Sequence, residues 1–334
     1  MCAQESGKKF SFIIPTYNAS QHLECCLNSI RGQRYPQEKI EILIIDGGSL
    51  DDTLAIAKRF KCRIFDNPKR LAEYGVQIGM QQAEGEFLVV FACDNELVSI
   101  DWVEKVLSVF DRDQGISAVW GRLASKAGDA GLNKYFQLIQ SDPLNWFVNN
   151  NLNKYKAQAQ DLHGDYCVFE VAPQRPLVWG ANGLTYRKER IKRVWGQEGY
   201  LGDNDAFQCM IEQGDNKVAY FGIPFVYHHH VAKLSDWIKK WKRNFTYHLA
   251  DKQKTRNMNW LFTNDFKMKL FFWAFYSLLP IFSLSHSIYL YNKDKDIHWF
   301  YHPIVTWMQF TTYAYLVIFT KKGRDFVKNN ILLD

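Results

Sequence analysis

Short apolar runs alternate with segments of helical spacing over the N-terminal third of the chain. The runs read FSFII, EILII, CRIF and EFLVVF, and between the first two of them apolar residues recur at Leu23, Leu27 and Ile30. Strands separated by helices of this length predict right-handed βαβ crossovers and a mainly parallel, doubly wound α/β sheet. Ligands of such sheets bind at the carboxyl ends of the strands.

The pattern becomes irregular between about Gly121 and Pro176, which suggests an insertion. Order then returns with LVWGANGLTYRKERI, a helix at GDNDAFQCMIEQG, strands at KVAYF and FVYHHHV, and a basic helix at SDWIKKWKRNF. We therefore expect an α/β domain over residues 1–233. Residues 234–334 would hold the basic helix and a series of aromatic-rich C-terminal helices.

Two long apolar segments follow the basic helix, Leu270–Tyr291 and Ile297–Thr320. Each is long enough to cross a hydrocarbon core of ~30 Å as a helix. Pro280 and several histidines interrupt them, however, and their Tyr and Trp residues prefer the headgroup region. Lysines on both sides of the pair favour a hairpin with cytoplasmic flanks. The pattern leaves open a spanning hairpin, helices lying in the interface, and a core helix pair of a soluble protein.

Composition narrows the class of protein. The 334 residues are 47% hydrophobic, which is enough for a sizeable core, and the net charge of +6 is too weak to argue for a nucleic-acid partner. Neither GxGxxG after the first strand nor GxxxxGK[ST] occurs, which disfavours dinucleotide oxidoreductases and P-loop NTPases. Seven cysteines without CxxC spacing, and no apolar run before Phe10, predict reduced thiols in the cytosol.

The strand EFLVVF is followed by Asp94, Asn95 and Glu96. Side chains two positions apart on an extended segment point the same way, so Asp94 and Glu96 would converge on one divalent cation or one polar ligand. The alternative is that these residues only end the strand, since Asp and Asn are favoured in turns.

Two other strands end in polar residues. Pro15 is expected to end FSFII because it has no N–H to donate, and it leaves Thr16, Tyr17 and Asn18 exposed at the sheet edge. EILII ends at Asp46, and the two glycines that follow let backbone approach a ligand. A carboxylate at that position can accept a base N–H from a nucleotide. Three strand ends would therefore face one crevice.

Taken together, IPTYN, IDGGSLDDT and NPKRLAEYGVQIGMQQAEGEFLVVFACDNE resemble the opening half of family 2 glycosyltransferases, which have the GT-A fold. The resemblance covers about residues 10 to 110 and continues more loosely to about Phe245. It implies a nucleotide-sugar donor, commonly a UDP-sugar, whose base is held by Pro15, Thr16, Tyr17 and Asn18 together with Asp46.

The resemblance also implies a metal cofactor, Mg²⁺ or Mn²⁺. A DxD-type motif closes the corresponding strand in the family, and its acids bind the cation that bridges the donor diphosphate. In this chain Ala92 occupies the position of the first Asp of that motif, and Asp94 occupies the position of the second. The resemblance therefore assigns metal binding first to Asp94 and second to Glu96. An H-x-H in FVYHHHV adds His228 and His230, which alternation places on one face of the strand.

GANGLTYRKE resembles the acceptor-side loop of the family, where small residues admit the sugar. This implies substrate contacts for Trp179, Gly180, Ala181 and Asn182. Trp179 would stack on a sugar face, or it is simply a core residue.

YLGDNDAFQCMIEQG resembles the E-D-x-D-L region of the family and places the catalytic base of inverting members on Asp203. A carboxylate at a helix N-terminus is kept ionised, although the same position also suits a helix cap. WIKKWKRNF stands in the place of a Q-x-x-R-W motif without matching it. There Lys240 and Arg243 would neutralise phosphates, or they form a solvated basic face.

The resemblance thus implies an inverting, metal-dependent glycosyltransferase on the cytoplasmic face of the cell membrane, held there by its C-terminal segment. Its acceptor would be a glycan or polyprenyl-linked glycan in surface polysaccharide or glycoconjugate assembly. One alternative is a polyprenyl-phosphate monoglycosyltransferase, in which a phosphate attacks and no strong base is needed. Another is an inactive glycosyltransferase-like scaffold, which the departure at Ala92 supports.

Overall fold

The computed structural model divides the chain into two compact units. The first is formed by residues 1–124 and 153–228, and the second by residues 125–152 and 229–334. The second unit therefore includes part of the stretch in which the sequence pattern is irregular. The structure describes residues 9–149, 151–159, 161–175, 177, 182–194, 202–229, 233–250 and 264–330.

A mixed, mostly parallel sheet forms the centre of the first unit. Its ten described strands, in chain order, are β1 (Phe10–Thr16), β2 (Ile40–Asp46), β3 (Arg63–Asp66), β4 (Phe87–Val90), β5 (Asn95–Leu97), β6 (Ala118–Ala124), β7 (Asp161–Leu162), β8 (Tyr166–Glu170), β9 (Leu184–Arg187) and β10 (Lys217–His228). The order is β3-β2-β1-β4-β9-β6-β10-β8-β7, and β5 pairs with β10. Strands β1 to β4 are mutually parallel, whereas β9 runs antiparallel to β4 and β6. The predicted α/β sheet is confirmed in this mixed form.

Helices connect the parallel strands as the apolar spacing predicts. Those associated with the first unit are α1 (Ser20–Arg31), α2 (Thr53–Arg59), α3 (Ala72–Gln82), α4 (Trp102–Arg112), α7 (Asn151–Gln158), α8 (Lys188–Ile191) and α9 (Asp203–Glu212). All seven residues of β2 are buried, as expected for a parallel strand covered on both faces. Leu23, Leu27 and Ile30 of α1 join the core beneath β1.

Pro15 does not end β1, contrary to the prediction. The strand continues to Thr16, which pairs with Asp46 of β2, whereas the pairing of β1 with β4 stops at Ile13. Beyond Ile13 only one side of β1 has a paired strand. Pro15, which has no N–H, is therefore accommodated in β1 without the loss of an inter-strand hydrogen bond.

The second unit is helical in its described part. Its helices are α5 (Gly131–Ile139), α6 (Pro143–Val148), α10 (Leu234–Arg243), α11 (Asn264–Leu278), α12 (Pro280–Asp294), α13 (His302–Phe319) and α14 (Lys321–Asn330), with a π-helix at Asn244–Ala250 and a 3-10 helix at Ile297–Tyr301. Aromatic residues fill its core, where Phe136 stacks on Trp237 at 3.7 Å between ring centroids.

The predicted apolar segment Leu270–Tyr291 is divided between α11 and α12. Within the described ranges, no single helix is long and apolar enough to cross a membrane. Residues 265–278 and 280–294 meet the requirement only as a pair, and that pair is bent by 91°. Membrane association of the C-terminal segment stays a prediction.

Candidate active site

The carboxyl ends of β1, β2 and β4 meet at one edge of the sheet, as predicted. Thr16 at the end of β1 is level with Asp46 at the end of β2, and Ile13 is level with Val90 at the end of β4. The loops that follow these strands therefore emerge side by side, which is the location where α/β sheets bind ligands.

Asp46 organises the loop after β2. It is 4% exposed, and its two carboxylate oxygens accept four hydrogen bonds: from Thr16 Oγ1 (2.8 Å), Gly48 N (2.9 Å), Ser49 N (2.7 Å) and Ser49 Oγ (2.6 Å). Burial alone would raise the pKa of Asp46, but the hydrogen bonds from Ser49, Thr16 and Gly48 outweigh it and lower the pKa. The carboxylate is therefore ionised at neutral pH.

Asn18 joins the loop after β1 to the loop after β2. Its backbone N–H donates to Ser49 Oγ at 2.8 Å, and its side-chain Oδ1 accepts from Leu50 N at 2.9 Å. Asn18 has a φ of 49°, a left-handed conformation that Asn tolerates better than most residues. The two loops thus form one hydrogen-bonded surface.

Asp51 strengthens the same connection. Its Oδ2 accepts from Ser20 N at 3.0 Å at the start of α1, while its Oδ1 accepts from Thr53 Oγ1 at 2.5 Å. These hydrogen bonds, with that of Thr53 first, hold the pKa of Asp51 well below its ordinary value. Asp51 is therefore more than a local cap, because it links two helices that start at the same edge.

Arg70 lies at the rim of these loops, and sequence reasoning missed it. Its guanidinium carbon is 5.7 Å from the ring centroid of the exposed Tyr17, and a Cβ built on Gly48 would lie 3.5 Å from Arg70 Nη2. Gly48 has a φ of +84°, which favours glycine. A guanidinium beside exposed backbone is well suited to binding phosphate. The only sequence signal was a basic residue shortly after a strand.

The turn after β4 brings Asp94 to His228. The short strand β5 pairs antiparallel with the end of β10, so that Asn95 lies opposite His228. Asp94 Oδ2 is 3.6 Å from His228 Nε2. Asn95 is fully buried, and its Nδ2 donates to Asn182 Oδ1 at 3.0 Å. The structure thus brings together Asp94, His228 and Asn182, three residues that the sequence had assigned to the site.

The separation of Asp94 and His228 fits a shared divalent cation. Two ligand atoms each about 2.1 Å from one ion lie about 3 Å apart at a right angle and about 4 Å apart when opposed. A carboxylate oxygen and an imidazole nitrogen at 3.6 Å fall between these limits. A carboxylate suits Mg²⁺ and Mn²⁺, and a neutral imidazole is a common metal ligand in proteins.

The wider predicted metal set is not assembled in the described residues. Glu96 lies opposite Tyr227, one position along from the pair formed by Asn95 and His228. A turn closed by the hydrogen bond from Asn95 N to Ala92 O interrupts the regular alternation from which Glu96 was predicted to point the same way as Asp94. His230 lies outside the residues that the structure describes. Within the described part of the chain, no group of three or more His, Cys, Asp or Glu side chains is arranged to hold a metal ion.

Two thiols lie near the Asp94 turn. Burial and then the Asp94 carboxylate raise the pKa of Cys93 to about 12, and burial raises the pKa of Cys26 well above its ordinary value. Both thiols are therefore protonated at neutral pH. They add neither a thiolate ligand nor a nucleophile to the site.

The remaining predicted residues are only partly placed. Helix α9 begins at Asp203 after the N-cap Gly202, but the Asp203 side chain lies outside the described part. Trp179, Gly180 and Ala181 also lie outside the described residues. Lys240 and Arg243 belong to α10 of the second unit, where Lys240 Nζ is 5.0 Å from the Trp237 ring. The roles of these residues stay predictions.

Part of the chain is similar in sequence to known proteins. Residues 11–173 match the family model described as glycosyl transferase family 2. A relative from Methanococcus voltae, dolichyl N-acetyl-alpha-D-glucosaminyl phosphate 3-beta-D-2,3-diacetamido-2,3-dideoxy-beta-D-glucuronosyltransferase, is 38% identical over 88 residues, which are 24% of this chain and 27% of the relative. Glycosyltransferase AglE of Haloferax volcanii is 32% identical over 120 residues, 34% of this chain and 38% of the relative. The matched regions thus span well under half of these relatives.

A solved structure shares the fold. The mannosyltransferase PcManGT from Pyrobaculum calidifontis, in complex with GDP-Man and Mn²⁺, superposes with a TM-score of 0.56 at 14% identity. The match covers 93% of this chain and 87% of that chain. At this identity the likeness shows the fold alone.

Proposed function

The chain is a member of glycosyl transferase family 2 through its residues 11–173, and from this premise we propose that it transfers a sugar from a nucleoside-diphosphate donor to a glycan or lipid-linked acceptor, with inversion. The observation that carries the proposal is the meeting of the Asp46 loop and the Asp94–His228 pair at one edge of the sheet. A nucleotide sugar needs both features, a polar cradle for the nucleoside and charge stabilisation for the diphosphate.

The donor would lie along the strand ends. Tyr17 and the loops joined by Asn18 face the nucleoside, Asp46 holds those loops in place, and Arg70 neutralises phosphate charge. Asp94 and His228 would hold Mg²⁺ or Mn²⁺, which when bound stabilises the negative charge of the leaving diphosphate. A UDP-sugar is the proposed donor, by analogy with the family.

Asp203 is the proposed general base. It takes the proton of the acceptor hydroxyl as the hydroxyl oxygen bonds to the anomeric carbon. The bond between that carbon and the diphosphate oxygen breaks, and its electron pair leaves with the diphosphate. The position at the N-terminus of α9 favours an ionised carboxylate. Trp179 to Asn182 would line the acceptor side.

We place the protein on the cytoplasmic face of the cell membrane, with a polyprenyl-linked acceptor. The aromatic-rich C-terminal helices support this location, and the relative from Methanococcus voltae is named for a dolichyl-linked substrate. The product would enter surface polysaccharide or glycoconjugate assembly.

A transfer assay tests the proposal and separates it from its nearest alternative. Purified protein is given radiolabelled nucleotide sugars and either polyprenyl-diphosphate-linked sugar or polyprenyl phosphate. With a hydroxyl acceptor, Asp203→Asn should lower kcat by about a hundredfold or more, since general-base catalysis contributes that much. The control Glu212→Gln is an isosteric change at the other end of α9 and should leave kcat unchanged.

Each other outcome is decisive. Transfer to polyprenyl phosphate that survives in Asp203→Asn would identify the monoglycosyltransferase. Absence of transfer from every donor, together with absence of donor binding, would identify a scaffold without turnover.

A further inference from the structure

Helices α11, α12 and α13 bury small polar side chains and expose large apolar ones. Ser277, Ser283 and Ser287 are 0% exposed, whereas Phe271 is 64% exposed and Ile281 is 68% exposed. Water-soluble helices show the opposite pattern, with the apolar stripe facing the core. These helices are therefore inside-out relative to a protein surrounded by water.

The buried serines satisfy their own hydrogen bonds. Ser277 Oγ donates to Trp273 O at 2.7 Å, and Ser287 Oγ donates to Ser283 O at 2.8 Å, both within one helix. Small side chains of this kind let neighbouring helices approach closely in membrane proteins, where lipid supplies no hydrophobic drive between helices.

A polar cluster lies beneath the same helices. The Tyr135 hydroxyl is 2.7 Å from His302 Nδ1, and the Tyr276 hydroxyl is 2.8 Å from His302 Nε2 and 3.0 Å from His286 Nδ1. Gln309 of α13 is fully buried as well. Polar side chains of helices in contact with lipid face the bundle interior and pair with one another, as these do.

The bend between α11 and α12 limits how deep the pair can insert. Each helix has 15 residues, about 22 Å at 1.5 Å per residue, and residues 265–278 and 280–294 are bent by 91°. If both outer ends stay at one surface, each arm is inclined by about 45° and the apex lies about 16 Å deep. That depth is about half of a ~30 Å hydrocarbon core.

Charge is distributed as this geometry requires. The Lys and Asp side chains of the pair are confined to its two outer ends: Asp265, Lys267 and Lys269 near the start of α11, and Lys293, Asp294, Lys295 and Asp296 at the end of α12. The apex, residues 278–282, is entirely apolar and exposed. Lys269 is paired with Asp265 at 2.6 Å, so the two ends are charged but nearly neutral overall, and charged side chains at both ends suit the polar headgroup region of a single surface.

We propose that α11 and α12 form a re-entrant hairpin that inserts into one leaflet of a lipid bilayer, with residues 278–282 near the bilayer centre and both ends among the headgroups. The inference rests on the proposed function, since a lipid-linked acceptor requires the enzyme to lie at a bilayer. Lipid is favoured over a second copy of the chain as the partner of the exposed apolar side chains. Lipid chains adapt to a surface of any shape, whereas a second copy would need a surface complementary to two apolar helices that meet at a 91° bend.

Partitioning into vesicles is the first test. Full-length protein is titrated with vesicles of equal parts phosphatidylcholine and phosphatidylglycerol, and the partition coefficient is compared with that of Phe275→Asp and Ile281→Asp. Each variant should partition about a hundredfold less, because an ionised Asp is strongly disfavoured in the hydrocarbon core. The control Ile100→Asp alters a residue of the first unit that is 63% exposed, and it should partition like the wild type.

Three results would overturn the proposal: a wild type that does not bind vesicles, Phe275→Asp and Ile281→Asp variants that bind vesicles as the wild type does, or variants that instead dissociate a dimer seen by sedimentation. Donor binding in detergent should be unchanged in Phe275→Asp and Ile281→Asp. If the wild type bound no donor, the proposed function would be refuted, whereas the conclusion from vesicle partitioning would be unaffected.

Labelling from one side distinguishes insertion from spanning. Lys267→Cys and Lys295→Cys protein, added to preformed vesicles, should each gain one equivalent of an impermeant maleimide over the parent, whereas Leu279→Cys should gain it only after detergent. If one of the two end positions reacts only after detergent, the pair crosses the bilayer and the re-entrant proposal is wrong.

Discussion

Asp46 shows how one side chain can prepare a binding surface. Four hydrogen bonds fill the acceptor positions of its two oxygens, so contact with a nucleotide base would require exchange of one of these bonds. Its first effect is to fix Gly48 and Ser49 next to the loop that carries Asn18. The prediction that Asp46 accepts a base N–H is still to be tested.

Asp46→Asn should destabilise the protein by about 1–3 kcal/mol and weaken donor binding. In the wild type, backbone N–H and hydroxyl groups donate to the two carboxylate oxygens, whereas the Asn side chain replaces one oxygen by an NH₂ group that cannot accept these hydrogen bonds. Urea unfolding and calorimetric titration with donor measure the two effects. Asp66→Asn changes an exposed Asp level with Asp46 on the neighbouring strand and should have little effect. Equal losses in both variants would contradict this role for Asp46.

The same contribution should depend on pH. Since folding lowers the pKa of Asp46, its stabilisation is fully present above the unfolded value of about 3.9 and is lost as pH falls through the lower folded value. The difference in unfolding free energy between wild type and Asp46→Asn should therefore be constant near neutral pH and shrink in acid. A difference that grows in acid would exclude this linkage.

Arg70→Ala should raise the Kd for the donor by about 10- to 100-fold, the range expected when a charge-assisted hydrogen bond to phosphate is lost. Stability should hardly change, since the side chain is exposed. Arg70→Lys should recover part of the affinity but not the bidentate geometry. If the Kd is the same in all three proteins, Arg70 does not contact the donor.

At the scale of elements, the antiparallel pairing of β5 with β10 creates the Asp94–His228 pair. Sequence reasoning named both residues as metal ligands, which stays a prediction, and relied on simple alternation to add Glu96. It could not foresee the turn at Ala92–Asn95, nor that the neighbour of Asn95 would be the far end of β10. Register between strands distant in sequence depends on tertiary packing, which local patterns do not encode.

Gly183 is the residue that lets β9 enter the sheet beside this site. It has a φ of +77°, and a Cβ there would lie 2.7 Å from Val226 Cγ2 of β10. Gly183→Ala should therefore cost about 2–4 kcal/mol of unfolding free energy. Gly222→Ala, where a Cβ meets nothing within 4 Å, should cost little. Comparable losses in urea unfolding would show that crowding at Gly183 is relieved elsewhere.

For the whole molecule, the sequence predicted the α/β half well because its strands are continuous apolar runs that end in polar residues. Arg70 was not predicted because it lies in a turn after β3, with a φ of 55°, and its side chain reaches loops that follow two other strands. Pro280 was seen as an interruption, but only the structure shows the 91° bend there and the buried serines on either side of it.

Metal-assisted donor binding can be measured by calorimetric titration of the purified protein with UDP-, GDP- and dTDP-sugars, with Mn²⁺ or Mg²⁺ and again with a chelator. We expect saturable binding of one donor that needs the metal, is lost in Asp94→Asn and His228→Ala, and persists in Asp66→Asn. Binding that ignores both the metal and Asp94, or the absence of binding by any donor, would contradict a metal-assisted nucleotide-sugar site at these strand ends.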